Sequence, residues 1–209
     1  MPRKKIDITD QIEYLSILDE NGDVDKDLEP DISEDIHVKI HRALLLARRF
    51  DERMLNLQRQ GRMGTFAPVS GQEASQIGTI VHLKPSDWFI PSFRETAADL
   101  WRGRSMESVL LYNAGFNEGI QIKEEQKDVA INVPVGSQIP HATGIAWAIK
   151  YREKDDVAMV FFGDGATSEG DFHEALNFAG VFQVPAIFVC QNNQRSEERR
   201  VGKECATGC

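Results

Sequence analysis

The run Val157-Ala158-Met159-Val160-Phe161-Phe162 carries no charge, is rich in β-formers, and stops at Gly163-Asp164-Gly165. Too short for a free-standing helix, it predicts a buried strand ending in a turn. A polar turn continues through Ala166-Thr167-Ser168-Glu169-Gly170. Asp171 is placed to N-cap a helix carrying Phe172, Ala175, Leu176, Ala179 and Phe182 on its apolar face. Pro185 closes that helix. Ala186-Ile187-Phe188-Val189-Cys190 predicts a second buried strand, ending at Gln191-Asn192-Asn193. Strand, helix and strand in that order read as a parallel βαβ crossover, so the expected class is α/β with a parallel sheet.

In such a sheet, ligands gather outside the carboxyl ends of the strands. Asp164 and Asn192-Asn193 both fall at such ends, and the crossover sets those ends side by side. A carboxylate and an amide oxygen with nearby carbonyls suit Mg²⁺, which keeps coordination positions for phosphate oxygens. Gly163 and Gly165 let backbone approach a bulky anion. Gly-Asp-Gly alone is an ordinary strand-end turn more often than a site. Paired with Asn192-Asn193 on the next strand end, it becomes specific.

The chain of 209 residues, 41% apolar, is long enough to bury a substantial core. A formal net charge of −9 sets nucleic acid aside as the expected partner. No stretch approaches the roughly 18 apolar residues of a spanning helix, so no membrane contact is expected. The basic start Met1-Pro2-Arg3-Lys4-Lys5-Ile6-Asp7 lacks the apolar stretch of a secretory signal. Apart from Cys205 and Cys209 near the end, only Cys190 is present, so no disulfide framework is expected and a reducing cytoplasm fits.

Residues 1–30 read as a polar arm with an apolar island at Ile12, Leu15, Ile17 and Leu18. Asp19 to Asp25 resembles a calcium loop, but its glycine stands at the fourth position rather than the sixth, so the EF-hand pattern fails. A strand pair joined at Asn21-Gly22 is expected instead, forming an arm suited to lie on a partner subunit. Asp31 and Glu34 form a capping-box-like start. The helix that follows carries Ile36, Ile40, Leu44, Ala47, Phe50, Met54 and Leu57 on one stripe and ends near Gly61. Arg48, Arg49 and Arg53 then fall on a solvated or subunit-facing surface. Ser70 and Glu73 read as a capping box for a helix from Gln72 to Leu83. Asp87 to Pro91 predicts a short strand, and Ser92-Phe93-Arg94-Glu95 the start of the next helix. Arg94 at that junction offers forked donors to phosphate oxygens. Ser105 is expected to cap a short helix to Asn113, Asp128 to Gly136 to form a strand with a turn, and Gln138 to about Lys150 a helix. His141 and His173 read as surface or packing residues rather than general bases.

Several blocks recur together in one known family. They are Gly64-Thr65-Phe66-Ala67-Pro68-Val69-Ser70-Gly71-Gln72-Glu73-Ala74-Ser75-Gln76, Phe93-Arg94-Glu95, Val135-Gly136-Ser137-Gln138-Ile139-Pro140, the run from Phe162 to Phe172, Asn177-Phe178-Ala179-Gly180, and Pro185 to Asn193. From about Ile17 to Gln194 the chain resembles the α subunit of the E1 component of 2-oxo acid dehydrogenase complexes, nearest to the bacterial heterotetrameric pyruvate dehydrogenase form. The resemblance implies a thiamin diphosphate-binding fold, of which this chain supplies the diphosphate-binding half.

By that resemblance Asp164 and Asn193 are side-chain ligands of Mg²⁺, and the carbonyl two residues on, at Arg195, is a third. Gly165 and Ala166 would donate backbone N–H groups to the diphosphate of the cofactor, and Arg94 would bind its oxygens. Val135 would lie against the aminopyrimidine. Phe93 stands where the family often has tyrosine, so a hydroxyl contact is lost. The implied reaction is decarboxylation of a 2-oxo acid, with the acyl unit passed to a lipoyl group on the E2 acyltransferase. The activating glutamate belongs to the E1 β subunit, and the family's histidine-bearing loop has no counterpart in these residues, so no catalytic residue is assigned. Ser70 to Ala74 and Asn177 to Gly180 favour pyruvate over a branched-chain 2-oxo acid or acetoin. A Rossmann dehydrogenase is set aside because no G-x-G-x-x-G follows an early strand.

The expected organisation is an arm (1–30), the cofactor-binding domain (31–194), incomplete at its C-terminal end, and a tail (195–209). Arg195 to Cys205 reads as the translation of a common sequencing adapter, so the tail is expected to be foreign and the natural protein to continue beyond Gln194. Read literally, the chain is half a cofactor site without its lid, a non-catalytic fragment or interaction subunit.

Overall fold

The computed structural model describes residues 15–194. Ile12, the basic start, the carbonyl at Arg195 and the tail lie outside the described residues. The chain divides into two units, Met1–Val38 and Lys39–Cys209.

In the first unit the Asn-Gly turn sits where expected. Leu18 and Val24 form an antiparallel bridge around it, and Gly22 takes a left-handed φ of 91°. The Asp19 carboxylate accepts the N–H groups of Asn21 and Asp23, both at 2.8 Å, which is how a short acidic side chain stabilises a turn. The expected strand pair is reduced to that one bridge. Leu15 and Leu18 are exposed, so no apolar face helps to hold a longer ladder.

Helix α1, Glu34–Arg59, runs across the division. Its first turn is closed by the Ser33 carbonyl, which accepts the His37 N–H, so the helix begins after Ser33 rather than at Asp31. The stripe is buried from Ala47 through Phe50 and Met54, whereas Ile36 is exposed and Ile40 and Leu44 are half-buried.

In the second unit follow α2 (Glu73–Ile80), β1 (Trp88–Ile90), α3 (Thr96–Trp101), α4 (Met106–Asn113), α5 (Gln138–Tyr151), β2 (Ala158–Gly163), α6 (Gly170–Phe182) and β3 (Ala186–Gln191). The strands form a parallel sheet in the order β1-β2-β3, with Trp88 opposite Ala158 and Ala158 opposite Ala186. The strand–helix–strand unit expected at 157–193 is therefore present as a parallel crossover.

The central strand is apolar on both faces because both faces are covered. Ala158, Val160 and Phe162 pack with Ile139, Ala142, Ala146 and Ile149 of α5 and Ala175 of α6. Met159 and Phe161 point the other way, into a cluster with Ala47, Ile77, Ile80, Phe89, Ala97 and Ala98. Phe89 and Phe161 meet edge to face, ring centroids 5.7 Å apart. Each fully buried side chain of this size contributes about 1.5–3 kcal/mol.

Four local expectations are corrected. The polar turn after Gly163 is a 3₁₀ helix, Asp164–Ser168, leading into α6, so Glu169 holds the N-cap position and Asp171 lies inside the first turn. Glu73 forms no capping box: its carboxylate accepts the Gly71 N–H at 2.8 Å and pairs with Arg48, which stays exposed as expected while making that contact. Residues 92–95 are an irregular turn and α3 begins at Thr96. The strand expected at 128–136 survives only as a parallel bridge between Phe89 and Asp128. Its neighbour β1 ends at Ile90, and Pro91 has no N–H to continue the ladder.

Candidate functional site

Parallel strands bring their carboxyl ends to one side of the sheet, and there the chain leaves three turns against one another. The turn after β1 contributes Phe93 and Arg94 to a cleft, the turn after β2 contributes Asp164, Gly165 and Ala166, and the end of β3 contributes Asn193. Val135 closes the cleft from the segment before α5. Residues expected from four separate stretches of sequence thus line one cavity. Asn192 is exposed and accepts the Gln194 N–H at 3.3 Å, so of the asparagine pair it is Asn193 that faces the cleft. Gly136, at φ 89°, turns the chain beside Val135; a Cβ there would lie 3.4 Å from that of Glu169.

Asp164 is 5% exposed, and its Oδ1 has no hydrogen-bond partner. Gln138 is the other such case among the described residues: its Nε2 donates to the Phe161 carbonyl at 2.8 Å while its Oε1 has no partner. Both line the same cleft. A buried polar atom without a partner calls for an explanation, and two acceptor oxygens on one cavity point to something there that is a cation or carries donors. A carboxylate with an amide oxygen nearby is the hard oxygen donor set that Mg²⁺ takes. The residues present therefore fit a Mg²⁺-bound diphosphate.

Arg94 supplies the cationic side. Its Nη1 donates to the Pro68 carbonyl at 2.8 Å, and the guanidinium lies 5.8 Å from the Phe93 ring centroid. Pro68 is itself held from below. Asp51 of α1 is buried and accepts the N–H groups of Val69 (2.9 Å) and Ser70 (3.2 Å). Burial pushes the Asp51 carboxyl above its usual range, and those two donors oppose the rise. Burial also raises Glu73, but the Arg48 guanidinium and the Gly71 N–H overcome it and leave that carboxyl below its usual range.

Sequence reasoning passed over a group of polar residues behind these. Gln72, Glu95 and Gln191 line the cleft with Gln138. Asn193 Nδ2 lies 3.5 Å from Gln72 Oε1, and Gln191 Nε2 donates to Glu95 Oε1 at 2.7 Å. Burial drives the Glu95 carboxyl upward, against hydrogen bonds from Ser92, Arg94 and Gln191. The strand expected to be buried at 186–190 is only half-buried, with Ile187 and Cys190 exposed; Gln191 at its end is the buried residue, and a buried amide needs partners. His141 and His173 are exposed.

The family model described as "Dehydrogenase E1 component" matches residues 41–199. Among curated proteins, the chain is 38% identical over 188 residues to a pyruvate dehydrogenase E1 component subunit alpha of Staphylococcus aureus (strain Mu50), covering 90% of this chain and 51% of that protein. A protein of the same name from Bacillus cereus is 38% identical over 200 residues, covering 95% of this chain and 54% of its own length. The chain spans about half the length of the curated relatives it matches.

Proposed function

Because the chain belongs to the dehydrogenase E1 component family, we propose that it holds the diphosphate end of thiamin diphosphate through Mg²⁺, as the α subunit of an E1 enzyme that decarboxylates pyruvate. The observation that carries this reading is the unpartnered Oδ1 of buried Asp164, on a cleft it shares with Arg94 and Asn193.

In this reading Asp164 and Asn193 hold the metal, Arg94 neutralises diphosphate oxygens, and backbone at Gly165 and Ala166 lies along the anion. Val135 and Phe93 give the cleft an apolar wall for the aminopyrimidine. Thiamin diphosphate, when bound, supplies a carbanion that adds to the carbonyl of a 2-oxo acid and a sink for the electrons left as CO₂ departs. The chain's own residues bind and orient; the residue that activates the cofactor is assigned to an E1 β subunit, and the acyl acceptor to the lipoyl group of an E2 acyltransferase. A cytoplasmic setting goes with this reading. Among the described residues no helix is long and apolar enough to cross a membrane.

Calorimetric titration of the chain, paired with an E1 β subunit, tests the reading. Thiamin diphosphate with Mg²⁺ is expected to bind the native chain and to give no heat with Asp164→Ala; equal titrations would overturn it. The names of the relatives support pyruvate. Assay of the pair with pyruvate, 3-methyl-2-oxobutanoate and acetoin checks that choice, and preference for either of the latter two would replace it.

A further inference from the structure

Arg94 and Asn193 must sit at a set separation to share one anion, yet the sheet does not set it. Arg94 lies beyond β1 and Asn193 beyond β3, and β2 stands between those strands. Both residues are also past the last ladder pairs, in irregular backbone. Strand pairing therefore leaves their relative position open.

A buried polar brace spans the gap. Gln191, the last residue of β3, donates from Nε2 to Glu95 Oε1 at 2.7 Å, crossing over the end of β2. Glu95 Oε2 gathers the N–H and Oγ of Ser92 (2.7 and 2.8 Å) and the N–H of Arg94 (3.3 Å). On its other side Gln191 Oε1 accepts from Ser75 Oγ at 2.9 Å and Gln76 Nε2 at 3.3 Å. Gln76 Nε2 also donates to the Arg94 carbonyl at 3.1 Å, and its Oε1 accepts the Ala97 N–H at 3.2 Å. The main chain of Arg94 is thus held at its N–H by Glu95 and at its carbonyl by Gln76, and both are tied to the strand that leads to Asn193. Glu95, Gln76 and Gln191 are 3%, 0% and 7% exposed. An ionisable side chain this deep is not what packing alone selects, since an apolar residue of similar size serves a core at least as well.

Resting on the cofactor reading above, we propose that Glu95, Gln191 and Gln76 are positioning residues that lock the Arg94 turn to the end of β3, so that Arg94 and Asn193 address one diphosphate at fixed separation. The polarity of the brace makes it testable. Gln191 must present its NH₂ to a carboxylate and its oxygen to two donors. Glu95→Gln leaves two facing amides; if Gln191 turns over to satisfy the new one, its NH₂ meets the donors of Ser75 and Gln76. Gln191→Glu sets two carboxylates against each other. The double exchange, Glu95→Gln with Gln191→Glu, restores every hydrogen bond with the charge moved across, because the amide at 95 then donates to the carboxylate at 191.

The experiment is calorimetric titration of each variant, paired with the E1 β subunit, with Mg²⁺ and either thiamin diphosphate or inorganic pyrophosphate, alongside thermal unfolding without ligand. Each single exchange is expected to weaken both ligands about 10- to 100-fold, as loss of a ligand-orienting contact does. The double exchange is expected to return both to about the native affinity. The proposal is overturned if the single variants bind as the native chain does, if pyrophosphate binding is unchanged while thiamin diphosphate binding falls, or if affinity loss merely follows loss of ligand-free thermal stability. A double variant that fails to fold, or folds and binds weakly, also overturns it. Should a single variant not fold, the double variant alone decides. Asp164→Ala separates the two readings: if it titrates as the native chain does, the cofactor reading itself fails. If it gives no heat while Glu95→Gln and Gln191→Glu bind normally, only the brace is wrong.

Discussion

On the proposed reading Asp164 sets folding against binding, and replacing it with alanine should move the two in opposite directions. A buried polar oxygen with no partner lowers stability by about 1–3 kcal/mol, and more if it carries charge. Deleting the carboxylate also leaves a small void, costing on the order of 1 kcal/mol for a side chain of this size. The first effect is the larger, so the ligand-free variant should gain roughly 1 kcal/mol, or about 2–4 °C in melting temperature for a chain of this length. The same change deletes an expected metal oxygen. For the native chain, Mg²⁺ and thiamin diphosphate at about 100 times their Kd should add about 2.7 kcal/mol of stability. For Asp164→Ala that increment should vanish. Thermal unfolding followed by circular dichroism, with and without the ligands, reads both effects in one experiment. A variant that melts lower than the native chain, or one that keeps the ligand-induced rise, would refute the reasoning from the unpartnered oxygen.

Three further outcomes follow from features away from the cleft. Burial pushes the Asp99 carboxyl up to about 7 despite Arg104 beside it, whose Nη1 donates to Asp99 Oδ2 at 2.9 Å. Between about pH 4 and 7 the native state then keeps a proton that the unfolded chain releases, so stability falls as pH rises through that window, by at most roughly 4 kcal/mol. Urea midpoints at several pH values should show this slope and its flattening in Asp99→Asn; an unchanged slope would exclude Asp99 as its source. Phe161→Ala, removing a fully buried ring from the cluster shared with Phe89, should cost about 3–5 kcal/mol in urea unfolding, and a loss under 1 kcal/mol would mean the site collapses freely. Gly119→Ala drives a Cβ into the Tyr112 backbone nitrogen of α4, so the Asn117–Ile120 turn must leave the helix; a lower melting temperature is expected, and native stability would contradict that packing.

What could be read from sequence is what local chemistry determines. The run ending at Phe162 is a strand because its residues are β-formers without charge, and Asp164 reaches the cleft because it follows the central strand directly, at the carboxyl end of the sheet. Asn193 is placed by the same logic. The turn at 92–95 and the strand at 128–136 were misjudged for a different reason. Whether Asp128 to Gly136 forms a ladder depends on the length of β1, which Pro91 limits. Glu73 satisfied a capping-box spacing, but Arg48, twenty-five positions away on another helix, took its carboxylate. The glutamines at 72, 76, 138 and 191 were the least legible. An amide side chain leaves no periodic signature, and its burial is decided by which donors and acceptors the tertiary fold brings near it.

The hydrogen bonds that join Gln191 to Ser75 and Gln76 close loops of 116 and 115 residues, and Asn193 meets Gln72 across 121. The entropy of closing such loops rises only slowly with length, so the more telling variable is time. At a synthesis rate of about 5–20 residues per second, roughly 6–24 s separate the appearance of Gln72 from that of Asn193. Throughout that interval α2, β1 and the Arg94 turn can assemble while the far wall of the cleft does not yet exist. A diphosphate ligand therefore cannot template the early stages of folding. On the proposed reading it can recognise only a chain in which β3 has docked on β2, which makes its binding a checkpoint on that pairing rather than a participant in reaching it.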